Sequence, residues 1–529
     1  MVDRDVAVIG SGHNGLVAAC YLARAGLDVE VIERDEVIGG AVSTVERFPG
    51  VRMDRGSSAH IMIRHTGIIE DLNLRAHGLR YVDMDPWGFL PATEHGDAIT
   101  LWHDTERTCA SIAAACGTAD ADAYRRFVRD WLPRNRVIFS FFQTAPTPGA
   151  LARAMRDLAR LPGVRTPRMV REFVGSADAV LDAYFTDERL KSGLAWMAAQ
   201  SGPASHEVGS ADMVGWLTMM HSIPPGRPIG GSGALTGALA ARLQADGGAL
   251  SVGDAALSIE RTGDGFTLTL ASGRRITCAK VLSAAHAWTT AELVAGTAPA
   301  AADRLRSTTR TGNGIGMVLR AWTDRPPAYA GDTDGVAHRA MALLCADRNE
   351  LRRNHGEFLA HRTPSRPAAL AMCPTVDDSS LAPRGTHTVT IWGQWHPHHV
   401  IDESWSAIGQ READKLIDVV EQHAPGFRSS IKDVHIQTPV DIEKEIGLHQ
   451  ANVMHLEMTL DQMFSLRPTP EDSGYRLAGV DGVYLAGAST HPGGGVFGAS
   501  GRSAATVLLS DLRRGKRQGL PTWWATRRG

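Results

Sequence analysis

Cysteine is scarce: there are six in 529 residues (Cys20, Cys109, Cys116, Cys278, Cys345, Cys373), none in a CxxC pair. Their scatter excludes a disulfide framework, a structural zinc and a thiol redox couple, and suits a reducing compartment. Long apolar runs are missing too, since no stretch reaches the roughly 18 residues of a membrane span. The first residues pass directly into a strand pattern with no room for a signal peptide, so the expected location is cytoplasmic. Neither charge is in excess: 55 Lys and Arg stand against 58 Asp and Glu, a net charge of −3, which argues against nucleic acid as a partner. HExxH, a GxSxG elbow, a P-loop and metal-ligand spacings are absent, and no metal is expected. The densest histidine group, "HPHHV" at 396–400, lacks a partner set and reads as a polar loop. No internal repeat or low-complexity segment stands out. The length exceeds one simple core, so two domains or one with a large insertion are expected.

Glycine, by contrast, is abundant at 55 residues, and its placement is informative. Residues 5–33 read "DVAVIGSGHNGLVAACYLARAGLDVEVIE". Val6 to Ile9 is a short buried strand, Gly10-x-Gly12-x-x-Gly15 follows at once, and the next run has apolar helical periodicity that stops at Gly26. A second strand then ends on Glu33. Gly10 makes the tight turn, Gly12 lets the helix N-terminus approach a pyrophosphate, and Gly15 lets helix and strand touch. His13 and Asn14 fill the variable positions at the helix start, and Glu33 is placed to accept hydrogen bonds from a ribose. Strand, glycines, helix, strand and acid in register specify a dinucleotide site, for NAD or FAD alike.

"ERDEVIGGAVST" then sets Gly39 and Gly40 after the acid. This second close backbone approach resembles the flavoprotein pattern of glutathione-reductase-like and amine-oxidase-like enzymes, and favours FAD. Amine oxidases usually carry Arg after the paired glycines, where this chain has Ala41; the missing charge is expected to pass to Arg34 or to backbone N–H groups. Near the other end, "GVYLAGASTHPGGGVFGASGRSAATVLLSDL" offers a strand from Val483 to Ala486, a glycine-rich loop and a helix pattern beginning near Gly498. In FAD proteins of this general build the last strand and helix return to the first βαβ unit, and the loop lies along the ribityl chain and flavin. The helix N-terminus then faces the flavin N1 and C2 carbonyl, where charge collects on reduction. Gly487, Gly495, Val496, Phe497 and Gly498 are the resulting cofactor-binding candidates.

"YLAGASTHPGGGVFGASGRSAA", with "GSGHNGLVAACYLARAG" and "ERDEVIGGA", resembles the phytoene desaturase and carotenoid isomerase clan of FAD proteins. More closely, the chain looks like the pyridine nucleotide-disulphide oxidoreductase domain-containing protein 2 group within that clan. The residues that carry this are "PIGGSGALTGALAARLQADGGAL", "HAPGF", "TPVDIEKEIGL" and "LDQMFSLRPTPEDSGYR". The resemblance covers nearly the whole chain and is weakest from about Trp87 to Gln200, where substrate specificity is expected. It implies an α/β fold: a Rossmann-like, glutathione-reductase-type FAD-binding domain, discontinuous in sequence (1–86, 225–305 and 470–529), with an inserted α+β substrate domain (87–224 and 306–469). The residue patterns agree, being helical over 100–220 and alternating over 249–285, with strands at 314–322 and 386–395 for a sheet roofing the flavin. The resemblance further implies backbone near Ala256 at the adenine, and Ser57 and Ser58 near the flavin.

The activity so implied is that of an FAD-dependent oxidoreductase that passes hydride from a C–H bond of an apolar or secondary-metabolite substrate to flavin N5, with oxygen or a quinone as acceptor. Met and Trp in "LAWMAAQ" and "MVGWLTMMH" are candidates for an apolar tunnel, with plain core as their alternative. His491, inside the glycine-rich loop, and His60, in "DRGSSAHIM", are the catalytic candidates, each with a structural hydrogen bond as its alternative. "GGSGALTGAL" follows a proline-rich stretch and "GNGIGMVLRAW" leads into a strand, so neither fits a second dinucleotide site. Two other functions stay open: a cis–trans isomerase without net redox, and a flavin-binding interaction protein with little turnover. Amine oxidation is disfavoured by Ala41 and by having only seven tyrosines from which to build an aromatic cage. The tail "RRGKRQGLPTWWATRRG" suits peripheral contact with an anionic membrane, and a homo-oligomer also stays open.

Overall fold

The computed structural model describes residues 2–161 and 166–517. In the first sheet, β1 (Arg4–Ile9) lies between β2 (Val29–Ile32) and β3 (Arg275–Ser283), parallel to both, with Val8 opposite Val31 on one side and Leu282 on the other. A central parallel strand is covered on both faces, which is why "VAVI" is a continuous apolar run rather than an alternating one. Helix α1 (His13–Arg24) makes the crossover from β1 to β2. Ala249–Ser251 extends the sheet beyond β2, the hairpin Ala256–Thr262 and Gly265–Leu270 pairs with the start of β3, and Val483–Leu485 runs parallel to its end. The first, middle and last parts of the chain therefore share one sheet. The last helix, Ala499–Arg517, packs on α1 so closely that a Cβ on Gly501 would lie 2.0 Å from the Asn14 carbonyl oxygen.

The second sheet contains β4 (Gly316–Thr323), β5 (Met341–Leu344), β6 (Ala369–Met372), β7 (His387–Gln394) and β8 (Ile431–Gln437), in the order β8-β4-β7-β6-β5. Gly88–Leu90 and Ile99–Leu101 continue it beyond β5. Strand alternation divides its side chains between two faces. Met317, Leu319 and Ala321 of β4 and Val389 and Ile391 of β7 pack with Ile408, Leu416 and Val420 of the helix Trp405–His423. The intervening residues face the other way, toward the first sheet.

From Thr105 to His221 the chain is helical, with no strand among the described residues. These helices build an aromatic-rich core that includes Tyr124, Phe127, Trp131 and Trp196 and also takes in Met341, Leu370 and Met372 of the second sheet. No helix among the described residues is long and apolar enough to cross a membrane. In the tail, Arg513 and Arg514 are exposed on the last helix, whereas Trp523, Trp524, Arg527 and Arg528 lie outside the described residues.

Candidate functional site

A cavity of about 680 Å³ lies between the ends of the parallel strands and the free face of the second sheet. In open α/β sheets this crevice, at the carboxyl ends of the strands, is where ligands bind. Its floor begins at Gly10, which turns with φ +95°. A Cβ on Gly15 would stand 2.1 Å from the Gly10 carbonyl oxygen, so the turn and α1 touch there, while a Cβ on Gly12 would meet nothing within 4 Å and would project into free space. Gly12 caps α1 without a side-chain hydrogen bond, and the first turn holds no acid, leaving helix N–H groups and the positive helix end for an anion.

Glu33 is fixed from beneath. Its Oε2 accepts from the Ser11 N–H (2.8 Å) and the Ser11 hydroxyl (2.7 Å), and its Oε1 accepts from the Asp35 N–H (3.0 Å). The Ser11 Oγ in turn accepts from the Gly39 N–H (3.1 Å), tying both glycine turns to the acid. Gly40 and Ala41 complete this wall, and Ala41 is packed against Gly56. Two cations line the neighbourhood. Arg34 packs over Gly447, and Arg55, which sequence reasoning passed over, is ion-paired with Asp35 at 2.7 Å.

Ser57, Ser58, Ala256, Gly487, Gly495 and Val496 also line the cavity, as do His13 and Asn14. Burial pushes His13 down to about 4, so it is neutral at pH 7; a hydrogen bond to the Gly495 backbone opposes part of that shift. Phe497 and Gly498 do not line the cavity. Phe497 stacks on Phe139 at 5.7 Å in the helical core, and Gly498 sits against Ile68 and Val17, where a Cβ would be 3.0 and 3.2 Å from their side chains.

The two histidines expected at the chemistry lie elsewhere as well. His491 is fully buried among Phe141, Phe142 and Phe464, with Nε2 3.4 Å from the Phe141 carbonyl oxygen. His60 is held between the Tyr81 hydroxyl (2.6 Å) and the Ser232 hydroxyl (2.7 Å), and burial pushes it down to about 3. Neither lines the cavity, and each has the surroundings of the structural alternative weighed for it: an aromatic enclosure for His491 and hydrogen bonds at both ring nitrogens for His60. The helix after "PIGGSG", Gly233–Ala245, is similarly committed: the Ser232 N–H donates to Asp54 (2.7 Å) and the Gly233 N–H to the Thr44 hydroxyl (2.8 Å).

A different set of histidines stands at the cavity wall, from segments with no motif to mark them. His286 accepts from the Trp288 N–H at Nδ1 (3.1 Å), which leaves Nε2–H to donate to the His455 carbonyl (3.0 Å). Burial pushes His286 down to about 3, and His455 is also held well below its ordinary value, by burial first. The ring of His449 lies 4.5 Å from that of His286.

The roof is the free face of the second sheet. Gln437 of β8, Val318 and Arg320 of β4, Thr390 and Trp392 of β7, Leu370 and Met372 of β6 and Met341 of β5 line it in register. The polar side chains sit toward β8, and the face becomes apolar toward β5. Arg320 is buried; it donates to the Ser58 hydroxyl (3.2 Å), the Thr390 hydroxyl (2.9 Å) and the Gly56 carbonyl (3.2 Å).

Comparison with known proteins agrees with this architecture. The family model of flavin containing amine oxidoreductases matches residues 15–509. Pyridine nucleotide-disulfide oxidoreductase domain-containing protein 2 of Rattus norvegicus is 31% identical over 552 residues, covering 96% of this chain and 94% of its own. A phytoene dehydrogenase of Streptomyces griseus is 27% identical over 515 residues, covering 96% and 93%. Among solved structures, an oxidoreductase from Methanosarcina mazei has a TM-score of 0.62 at 16% identity, over 96% of this chain and 100% of the other. Putrescine oxidase bound to putrescine has a TM-score of 0.62 at 15% identity, over 97% and 99%. The structural likenesses carry the Rossmann-like α/β fold with its inserted substrate region, and the sequence matches carry the chemistry. By the family match over most of its length and by these relatives, the chain belongs to the flavin-containing amine oxidoreductase family and is an FAD-dependent oxidoreductase of the phytoene-desaturase-like type.

Proposed function

We propose that this enzyme dehydrogenates an apolar small molecule at a C–H bond, with oxygen or a quinone as the final acceptor. The observation that carries this reading is the unlikeness of the two cavity walls: a glycine-lined polar floor beneath a roof of Met341, Leu370, Met372 and Trp392. FAD fits the floor, because the cavity at Gly12 has room that any side chain there would occupy and because α1 presents an uncapped N-terminus. When bound, FAD supplies the hydride acceptor. In this reading Gly10, Gly12, His13, Asn14, Gly15, Gly39, Gly40 and Ala41 enclose the pyrophosphate with α1. Glu33, with its Oε2 held by Ser11, takes the adenosine ribose, and the backbone at Ala256 meets the adenine. Gly487, beside the Gly10 turn, stands where the diphosphate meets the ribityl chain, and Gly495 and Val496 run along the ribityl and flavin half, with Ser57 and Ser58 on its other side.

The roof's task is to hold the substrate and exclude water. The substrate would lose one hydride and one proton from adjacent carbons and gain one double bond, and the acceptor would take up the two electrons and two protons, oxygen giving hydrogen peroxide or a quinone its quinol. Arg320, buried and cationic in the same wall, opposes entry of an alkylammonium group, so a neutral substrate fits this site better than a diamine does. Exposed Arg513 and Arg514 at the end of the last helix support a peripheral contact with anionic membranes, where apolar substrates reside. The test is anaerobic: lipid fractions are mixed with the FAD-loaded protein while its visible absorbance is followed. Bleaching with a product two hydrogens lighter is the expected result, whereas a product of unchanged mass would replace this reading with isomerisation.

A further inference from the structure

Arg467 is fully buried, and backbone carbonyls satisfy its side chain. Nε and Nη2 donate to Ala488 (3.1 and 2.8 Å), Nη1 donates to Glu457 and Gln462 (3.0 Å each), and Nη2 also donates to Met454 (2.7 Å) and Leu456 (3.3 Å). One guanidinium thus fastens the loop that runs from Met454 to Gln462 to the start of the glycine-rich loop. Met454 and His455 on one side, and Gly487 and Ala488 on the other, line the cavity.

Carbonyls satisfy the hydrogen bonds of an arginine but do not cancel its charge. Arg467 forms no ion pair among the described residues, and burial alone pulls its pKa down, to about 9. A buried cation left without a counter-charge is destabilising, because no ion pair offsets its desolvation. Its field reaches the cavity wall, where it adds to burial in depressing His286 and His455.

The residue it grips lies at the junction of the floor. A Cβ on Gly487 would be 2.8 Å from the Ala284 carbonyl oxygen, and one on Gly10 would be 3.6 Å from the Ala284 carbonyl carbon. Ala488 is therefore one residue from the place where the turn before α1, the chain leaving β3 and the chain leaving the last strand converge. The neighbouring cation Arg55 is already paired with Asp35, and position 41 is alanine.

We propose that Arg467 is a positioning residue for the cofactor diphosphate, clamping the two loops that wall the cavity and supplying from behind the Ala488 carbonyl the positive charge that the diphosphate requires. This rests on the FAD site proposed above. The two contributions separate in binding measurements on the apoprotein, titrated in parallel with FAD and with riboflavin, which has the ring and ribityl chain but no phosphate. R467Q loses the charge and, with two N–H donors in place of five, part of the clamp. It is expected to weaken FAD about tenfold more than it weakens riboflavin, the scale of one charge-assisted interaction. R467K keeps the charge with a poorer clamp, and is expected to preserve the ratio of FAD to riboflavin affinity. Thermal melting of each apoprotein checks that both variants are folded. Equal weakening of the two ligands by R467Q, or no weakening of FAD, overturns the proposal. Failure of wild-type apoprotein to bind either flavin would instead overturn the underlying site.

Discussion

Gly15 admits no other residue. A Cβ there would be 2.1 Å from one backbone oxygen and 3.2 Å from its carbon, neither of which can move without dragging β1 or α1. Gly15→Ala is expected to cost about 1–3 kcal/mol of stability and to abolish FAD retention, as measured by the flavin content of the purified protein. Ser11 makes a subtler contribution. Its hydroxyl donates to Glu33 and accepts from Gly39, so Ser11→Ala leaves the buried acid short of a donor and the second glycine turn short of an acceptor. The expected result is an FAD affinity lower by about 1–3 kcal/mol in a titration of the apoprotein. The glycines announce themselves in the sequence because their spacing is the motif. Ser11 does not, because its importance depends on where Glu33, twenty-two positions away, returns.

Elements are held to one another by a few charged junctions. Arg348 begins the helix Arg348–Leu359 with a buried side chain that reaches Asp182 (2.7 Å), Glu188 (3.0 Å) and Asp178 (3.6 Å), joining it to Ala177–Tyr184 and Glu188–Ala199. Asp182 and Glu188 are half exposed and water screens them, so Arg348→Ala is expected to cost about 2 kcal/mol rather than the full value of a buried pair. A lowered melting temperature with unchanged FAD affinity is the outcome that matches this; altered FAD affinity would mean that the helical region is coupled to the floor. Element identity was largely readable from periodicity, as in the helical stretch that begins at Thr105 and in β4 and β7. Which face of β4 or β7 meets the cavity was not readable, because both faces are buried and a strand covered on both sides has no polar alternation to read.

At the scale of the whole molecule, buried neutral histidines dominate the response to mild acid. Burial holds His13, His396 and His491 at about 4 and His60 and His286 at about 3, against an ordinary value of 6.5. Below about 6.5 the unfolded chain binds protons at these positions and the folded chain does not, so stability is fully present above that value and falls as the pH drops toward the folded pKa values. Each histidine contributes a slope of about 1.4 kcal/mol per pH unit within that window. Melting temperatures of the apoprotein are therefore expected to fall steeply between about pH 6.5 and 5, before the carboxylates titrate; a flat profile there would show that these rings are hydrated.

The sequence by itself determined the strand, glycine turn, helix, strand and acid of a dinucleotide-type unit, because they lie within one short stretch where local backbone geometry dictates the contacts, whereas the family and FAD were legible as a resemblance spread over nearly the whole chain. Only the tertiary structure decided which side chains wall the cavity. Arg320, Gln437 and Met372 share a face through strand pairing, and Arg467 meets Ala488, twenty-one positions on and past the strand Val483–Leu485. It also set His60 and His491 outside the cavity lining, for the same reason. A histidine's role follows from what encloses it, and that enclosure is assembled from distant segments whose meeting is set by close packing rather than by local periodicity.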